Sequence, residues 1–311
     1  MLTAVPGFKV GHFTESKAMT GCTVIICPPN TRASCDVRGN SPGSRELALL
    51  APEKSAQEIH AVLLTGGSAF GLAAADGVMR WLEEHDIGYP TPWAKIPLVP
   101  TAVVFDLNAG SSGVRPDALS GYRACDIAST GPFVEGNVGA GTGTTVGKWK
   151  GAEFWMKGGL GSASAEQSGL IVGALAVVNA VGDIISENGT ILAGARRPDG
   201  KFLGATEPYR PLARGKVLEQ ANTTLVVVAT NAKLSKLELH RVAQRMHDGM
   251  ARAVVPIHTS YDGDVSFALA CGDVKADLDL VSEIAAQLTA EAIRRAVKAA
   301  KTTAGIPALN A

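Results

Sequence analysis

The chain has 311 residues, 46% of them apolar, enough for one large core or two ordinary ones, which places it among globular proteins. Lysine plus arginine and aspartate plus glutamate number 29 each, so no net field draws in nucleic acid or an anionic membrane surface. The five cysteines form no Cys-x-x-Cys pair, the first twenty residues lack a secretory pattern, and no run reaches about 18 apolar residues; reduced core thiols, a cytoplasmic location and no membrane partner are expected.

Residues 21–28 (GCTVIICP) and 60–65 (HAVLLT) are short apolar runs with β-branched residues beside turn formers, which predicts two buried strands. Residues 45–59 between them have helical character. After a Gly66-Gly67-Ser68 turn, residues 68–85 predict an amphipathic helix with Ser68 as its N-cap. Residues 171–186 (IVGALAVVNAVGDIIS) read as one long apolar segment. Asn188-Gly189, a dipeptide favoured in type I′ turns, then returns the chain as a partner strand at 190–192.

The polar stretch 199–220, with Pro208 and Pro211, reads as an exposed connector. It ends at Asn222-Thr223-Thr224, where LVVVAT (225–230) begins a buried strand, so loop becomes core at this junction. Beyond it, 235–253 and 282–300 carry helical periodicity, with a strand at 265–271 between them. Strands outside strict alternation favour layered sheets covered by helices over a single parallel sheet.

The glycine-rich stretch 135–148 (EGNVGAGTGTTVGK) ends in lysine as a phosphate loop does, but Thr142 and Trp149 break that pattern, and Thr144 or Val146 breaks a dinucleotide fingerprint. No nucleotide cofactor is expected. Phe70 stands where a Gly-x-Ser-x-Gly nucleophile elbow needs glycine. The six histidines form no metal pair, so no metal is expected, and His247, ahead of Asp248, reads as structural.

Eight stretches, in order along almost the whole chain, carry a resemblance: VPGFKVGH, GCTVIICP, DVRGNSPGSRE, LLTGGSAFGLAAADGV, GNVGAGTGTTVGK, VVNAVGDI, NTTLVVVATNA and YDGDVSFALA. Together they resemble the L-aminopeptidase/D-esterase (DmpA-like) family, which includes β-peptidyl aminopeptidases and the endo-type nylon-oligomer hydrolase. The resemblance implies an α/β fold, a four-layer α/β/β/α sandwich of the DmpA/ornithine-acetyltransferase type, similar to N-terminal-nucleophile hydrolases. It also implies a single domain, residues 1–311, self-cleaved into 1–222 and 223–311, and a homo-oligomer, a tetramer of processed heterodimers.

The physical logic stands beside the resemblance. A threonine hydroxyl is a poor nucleophile near neutrality, but a free α-amine of pKa about 7.7 to 8.0 can take its proton. Cleavage between Asn222 and Thr223 creates that amine on the nucleophile itself. The resemblance further assigns catalytic positions to Lys148, Asn179, Asp262 and Asp264: a cation lowering the amine's pKa, an amide for the oxyanion, and carboxylates holding Lys148 and the amine. Taken singly, each has a bland alternative: a strand start, a solvated loop charge, a satisfied buried amide, a common turn.

Weaker expectations place Gly66, Gly67, Ser68, Glu135, Asn137 and Tyr122 at the substrate cleft, with Glu135 receiving a substrate amino group. The expected substrate is a small peptide or amide; whether of L-, D- or β-amino acids, cut terminally or internally, is left open. Two rivals are an acyltransferase of the ornithine acetyltransferase type, which also self-cleaves before threonine, and an uncleaved binding or scaffold protein.

Overall fold

A computed structural model of the chain describes residues 1–205 and 222–309. Its principal strands are β1 (Lys9–Glu15), β2 (Thr20–Ile26), β3 (Arg32–Val37), β4 (Ser44–Arg45), β5 (Ala61–Thr65), β6 (Thr101–Val103), β7 (Gly159–Gln167), β8 (Leu170–Asn179), β9 (Thr223–Ala232) and β10 (Val265–Val274). The helices are α1 (Ala74–Glu84), α2 (Ala118–Asp126), α3 (Lys236–Ala253) and α4 (Leu278–Ala299). One five-stranded sheet has the order β1-β2-β5-β6-β4 and the other β7-β8-β9-β10-β3.

Successive residues of a strand point to opposite faces, and that alternation builds the layers. Leu225, Val227 and Ala229 of β9 face Ile25, Val62 and Leu64 of the first sheet, while Val226 and Val228 face Val242, Met246 and Ile293 of α3 and α4. On the far side, Val24 and Leu63 pack under Val78, Leu82 and Cys125 of α1 and α2. Both sheets are thus covered on both faces, which explains why their strands read as unbroken apolar runs. The four layers expected from the resemblance are those observed, and the five cysteines are free thiols.

The strands expected at 21–28, 60–65 and 265–271 match β2, β5 and β10. Ser235 caps α3 in a reciprocal capping box with Glu238. His247 is structural, its Nε2 lying 3.2 Å from the Asp36 carbonyl and 3.1 Å from Ser266 Oγ.

Four expectations need correction. Residues 45–59 hold only a short 3-10 turn, Leu47–Leu50, because the segment closes the inter-sheet core from one side rather than packing as a helix face. Gly67, in the left-handed region, precedes a 3-10 turn at Ser68–Ala73, so Ser68 does not cap the helix. The long segment breaks after Asn179, where Gly182 passes so close to Pro256 that a β-carbon would lie 2.2 Å from its carbonyl oxygen; the chain resumes at Asp183–Ile185, paired with Ile191–Ala193 and Val254–Val255. In that hairpin only Gly189 has positive φ, and its N–H donates to Ser186 O, so the turn is a three-residue loop instead of type I′. Of the connector expected at 199–220, residues from 206 onward lie outside the described ones.

Candidate active site

The junction Asn222-Thr223 lies where three strands meet. Thr223 opens β9 and stands directly across from Asn179, the last residue of β8. On the other flank β9 runs parallel to β10, and Asn222 bridges to Asp262 just before that strand. Sheet register therefore brings together residues distant in sequence without any loop having to find them.

The Asn222 carbonyl oxygen accepts the Gly263 N–H at 2.6 Å and meets the Thr223 hydroxyl at 2.5 Å. Gly263 must be glycine for a steric reason: a β-carbon there would stand 2.9 Å from Thr223 Oγ1 and 2.7 Å from Ser41 O. Thr223 is only 4% exposed, so its hydroxyl is closed off from solvent in the uncut chain.

Lys148 follows Gly147, which sits in the left-handed region and lets the glycine-rich stretch turn inward. Its ammonium is fully buried and donates to both oxygens of Asn179, at 2.7 Å to Oδ1 and 3.0 Å to the backbone carbonyl. Burial pushes its pKa down to about 7, the charge of nearby Lys157 assists, and the charges of Asp262 and Asp106 oppose. Asn179 Oδ1 also accepts the Thr145 N–H at 3.0 Å, and Nδ2 donates to Phe105 O at 2.9 Å.

The two aspartates divide their work. Asp262 Oδ2 accepts the Thr259 N–H and hydroxyl at 2.8 and 2.6 Å; burial, then the neighbouring Asp264 charge, raises its pKa to about 6. Its charge favours the protonated form of Lys148. Asp264 Oδ1 accepts the Thr224 N–H at 2.6 Å, and Oδ2 is 2.7 Å from His258 Nδ1, so this carboxylate anchors the start of β9. Residues 38–41 lie over the pair: Gly39 N–H donates to Asp264 O and Ser41 N–H to Asp262 O.

The weaker candidates fall into two groups. Gly66, Gly67 and Ser68 adjoin the cluster through Asp106: Gly67 N–H donates to Asp106 Oδ1 at 2.7 Å, and Ser68 N–H donates to Val104 O. Glu135, Asn137 and Tyr122 make their contacts elsewhere. Glu135 pairs with Arg295 at 2.6 Å and accepts the Ser162 N–H, Asn137 ties to Lys301 and Thr303, and Tyr122 donates to Glu84 in the outer helix layer.

Four groups that the structure sets around the junction were not singled out in the sequence: Asp106, Lys157, His258 and the Gly263 amide. A lysine between Met156 and two glycines (WMKGG) was the one signal available, since a charge in so apolar a setting needs a buried partner.

Comparison with known proteins follows the same lines. The sequence profile of peptidase family S58 matches residues 1–309. An uncharacterized aminopeptidase of Mycobacterium leprae is 40% identical over 346 aligned positions, covering 98% of this chain and 92% of its own. A 6-aminohexanoate-oligomer endohydrolase of Paenarthrobacter ureafaciens is 32% identical over 279 positions, covering 86% and 74%. Two solved structures share the fold across 98% of this chain and 88% of theirs. They are the L-aminopeptidase D-Ala-esterase/amidase of Ochrobactrum anthropi, a variant of the Ntn hydrolase fold, at TM-score 0.74 and 22% identity, and a Burkholderia β-aminopeptidase at 0.72 and 24%.

Proposed function

Because this chain belongs to peptidase family S58, we propose that it cuts its own backbone between Asn222 and Thr223 and then hydrolyses amide bonds with Thr223 as N-terminal nucleophile. The enzyme is an amidohydrolase of the Ntn type. What carries the assignment of Thr223 is the Asn222 carbonyl, whose oxygen is held by the Gly263 N–H beside the Thr223 hydroxyl.

In the uncut chain no α-amine exists, so another base must take the first proton. Lys148, with a pKa near 7, has a neutral fraction at neutral pH. As Oγ1 attacks the Asn222 carbonyl carbon, its proton passes to Lys148 and from there to the departing Thr223 nitrogen. The C–N bond breaks, an ester forms between Asn222 and Oγ1, and the Gly263 N–H stabilises the oxyanion between these steps. Water opens the ester and leaves an Asn222 carboxylate and a free Thr223 amine. In turnover that amine accepts the hydroxyl proton, the substrate carbonyl takes the place vacated by Asn222, and water releases the acyl group.

Denaturing mass spectrometry of purified protein tests the reading. Two fragments divided at 222/223 are expected, and a single chain for Thr223→Ala; a parent chain that stays intact on long incubation supports a scaffold instead. An acyltransferase is not favoured, since the relatives bear hydrolase and aminopeptidase names; transfer exceeding hydrolysis with acetyl-ornithine and glutamate would reverse that.

For substrate, a panel of L-, D- and β-aminoacyl p-nitroanilides beside blocked peptides separates an aminopeptidase from an internally cutting polyamide hydrolase. Glu135 is already ion-paired with Arg295, which favours recognition by other groups than this carboxylate. The five free thiols fit a reducing compartment, the cytoplasm. Light scattering of the processed enzyme tests the expected tetramer of heterodimers.

A further inference from the structure

Lys157 is a second fully buried lysine, and the self-cleavage scheme does not use it. It lies in the two-residue strand Met156–Lys157, paired with Thr145–Val146 so that Lys157 stands opposite Thr145. Thr145 is the residue whose N–H holds Asn179 Oδ1. From there the Lys157 side chain reaches back and donates to the carbonyls of Thr142 and Thr144, at 2.8 Å each.

Those two carbonyls bracket Gly143, whose backbone is wedged against Asp106: a β-carbon at 143 would stand 2.0 Å from Met19 O and 2.7 Å from Asp106 Cβ. Asp106 is only 3% exposed and accepts the Thr20 hydroxyl at 2.8 Å and the Gly67 N–H. Its neighbour Phe105 takes the Asn179 side-chain amide. The turn that delivers Thr145 and Lys148 to Asn179 is therefore held by Lys157 on one side and Asp106 on the other.

We propose that Lys157 and Asp106 are positioning residues for the nucleophile: Lys157 pins the turn that sets Lys148 and Thr145 on Asn179, and the two opposite charges together set the field in which Lys148 exchanges its proton. The proposal rests on Lys148 acting as the base of self-cleavage. The charged groups bearing on Lys148 are Asp262, Lys157 and Asp106, and on Lys157 the main one is Asp106.

Because the two residues carry opposite charge, their removal moves Lys148 in opposite directions. Loss of the Lys157 cation lets Lys148 hold its proton to higher pH; loss of the Asp106 anion lets it release at lower pH. Lysine side-chain NMR titration of the uncut Thr223→Ala chain, with Lys148 assigned by its absence in Lys148→Met, reads this directly without any cleavage. Lys157→Met is expected to move the Lys148 midpoint up, and Asp106→Asn to move it down, by roughly one pH unit each.

In the Thr223 background, Lys157→Arg keeps a cation but replaces the compact ammonium that serves both carbonyls with a longer, planar head. It should slow self-cleavage roughly 10- to 100-fold without the upward shift of the pH midpoint that loss of the cation brings. Midpoints that stay put or move the same way in both charge variants would overturn the proposal, as would parent-like cleavage of Lys157→Arg; should Lys157→Met not fold, the Asp106→Asn titration decides alone. A parent that never cuts at 222/223 would defeat the proposed function while leaving the titration to judge this inference.

Discussion

At the scale of single residues, the site depends on the absence of one atom. Gly263 places its amide on the Asn222 carbonyl because nothing projects from its α-carbon toward Thr223. Gly263→Ala puts a methyl group against Thr223 Oγ1, and we expect uncut precursor to accumulate while far-UV circular dichroism stays like that of the parent; rapid processing of the variant would remove the Gly263 amide from the proposed mechanism. Asn179 acts through its acceptors, holding Lys148 and Thr145 at once. Asn179→Ala should lengthen the half-time of self-cleavage roughly 100-fold, the scale of a catalytic group left about 1 Å out of place, as followed by timed denaturing electrophoresis.

At the scale of elements, register does the positioning. A one-residue slip of β9 against β8 would set Thr223 opposite Val178 or Ala180, and it would also turn Leu225, Val227 and Ala229 away from the inter-sheet core. Thr223 is thus placed by the same apolar alternation that stabilises the sandwich. Helix ends contribute stability without touching the chemistry. Ser235→Ala removes the reciprocal cap of α3 and should lower the unfolding free energy by about 1 kcal/mol in urea titration, with processing at 222/223 unaltered. A slowed cut in that variant would tie the cap to the site.

At the scale of the whole molecule, the proposed cut divides the chain without dividing the core. Residues 223–311 supply β9 and β10, which lie between β8 and β3 of the other part, together with both helices of one outer layer. Separation would expose both faces of two central strands, so the fragments are expected to co-elute in size-exclusion chromatography and part only in denaturant. Protons also act on the whole fold. Burial lowers Lys148 and Lys157 from 10.5 to about 7 each, so between those values the unfolded chain binds more protons than the folded one. The destabilising effect of these lysines is full below about pH 7 and is relieved as pH rises toward 10.5. Each contributes a slope of up to about 1.4 kcal/mol per pH unit within that window. Urea unfolding of the Thr223→Ala chain from pH 7 to 10 should therefore show rising stability that flattens in part for Lys148→Met; a falling curve in the parent would mean that other groups dominate.

Much of this protein was legible before any coordinates. Strands buried on both faces announce themselves as apolar runs, the helical spacing of apolar residues over 235–253 gives α3, and LVVVAT at 225–230 gives the buried body of β9. These are local properties, set by which side chains a segment must hide and which backbone groups its ends must satisfy. The tertiary structure alone decided the rest. The segment 45–59 carries no long-range signal that it closes a core, and the pairings of Glu135 with Arg295 and Tyr122 with Glu84 join residues far apart in the chain. Whether a lysine in a glycine-rich stretch is a solvated charge or the buried partner of an asparagine depends on what the fold brings opposite it. That is a matter of strand register and burial, and neither is a property of the residue itself.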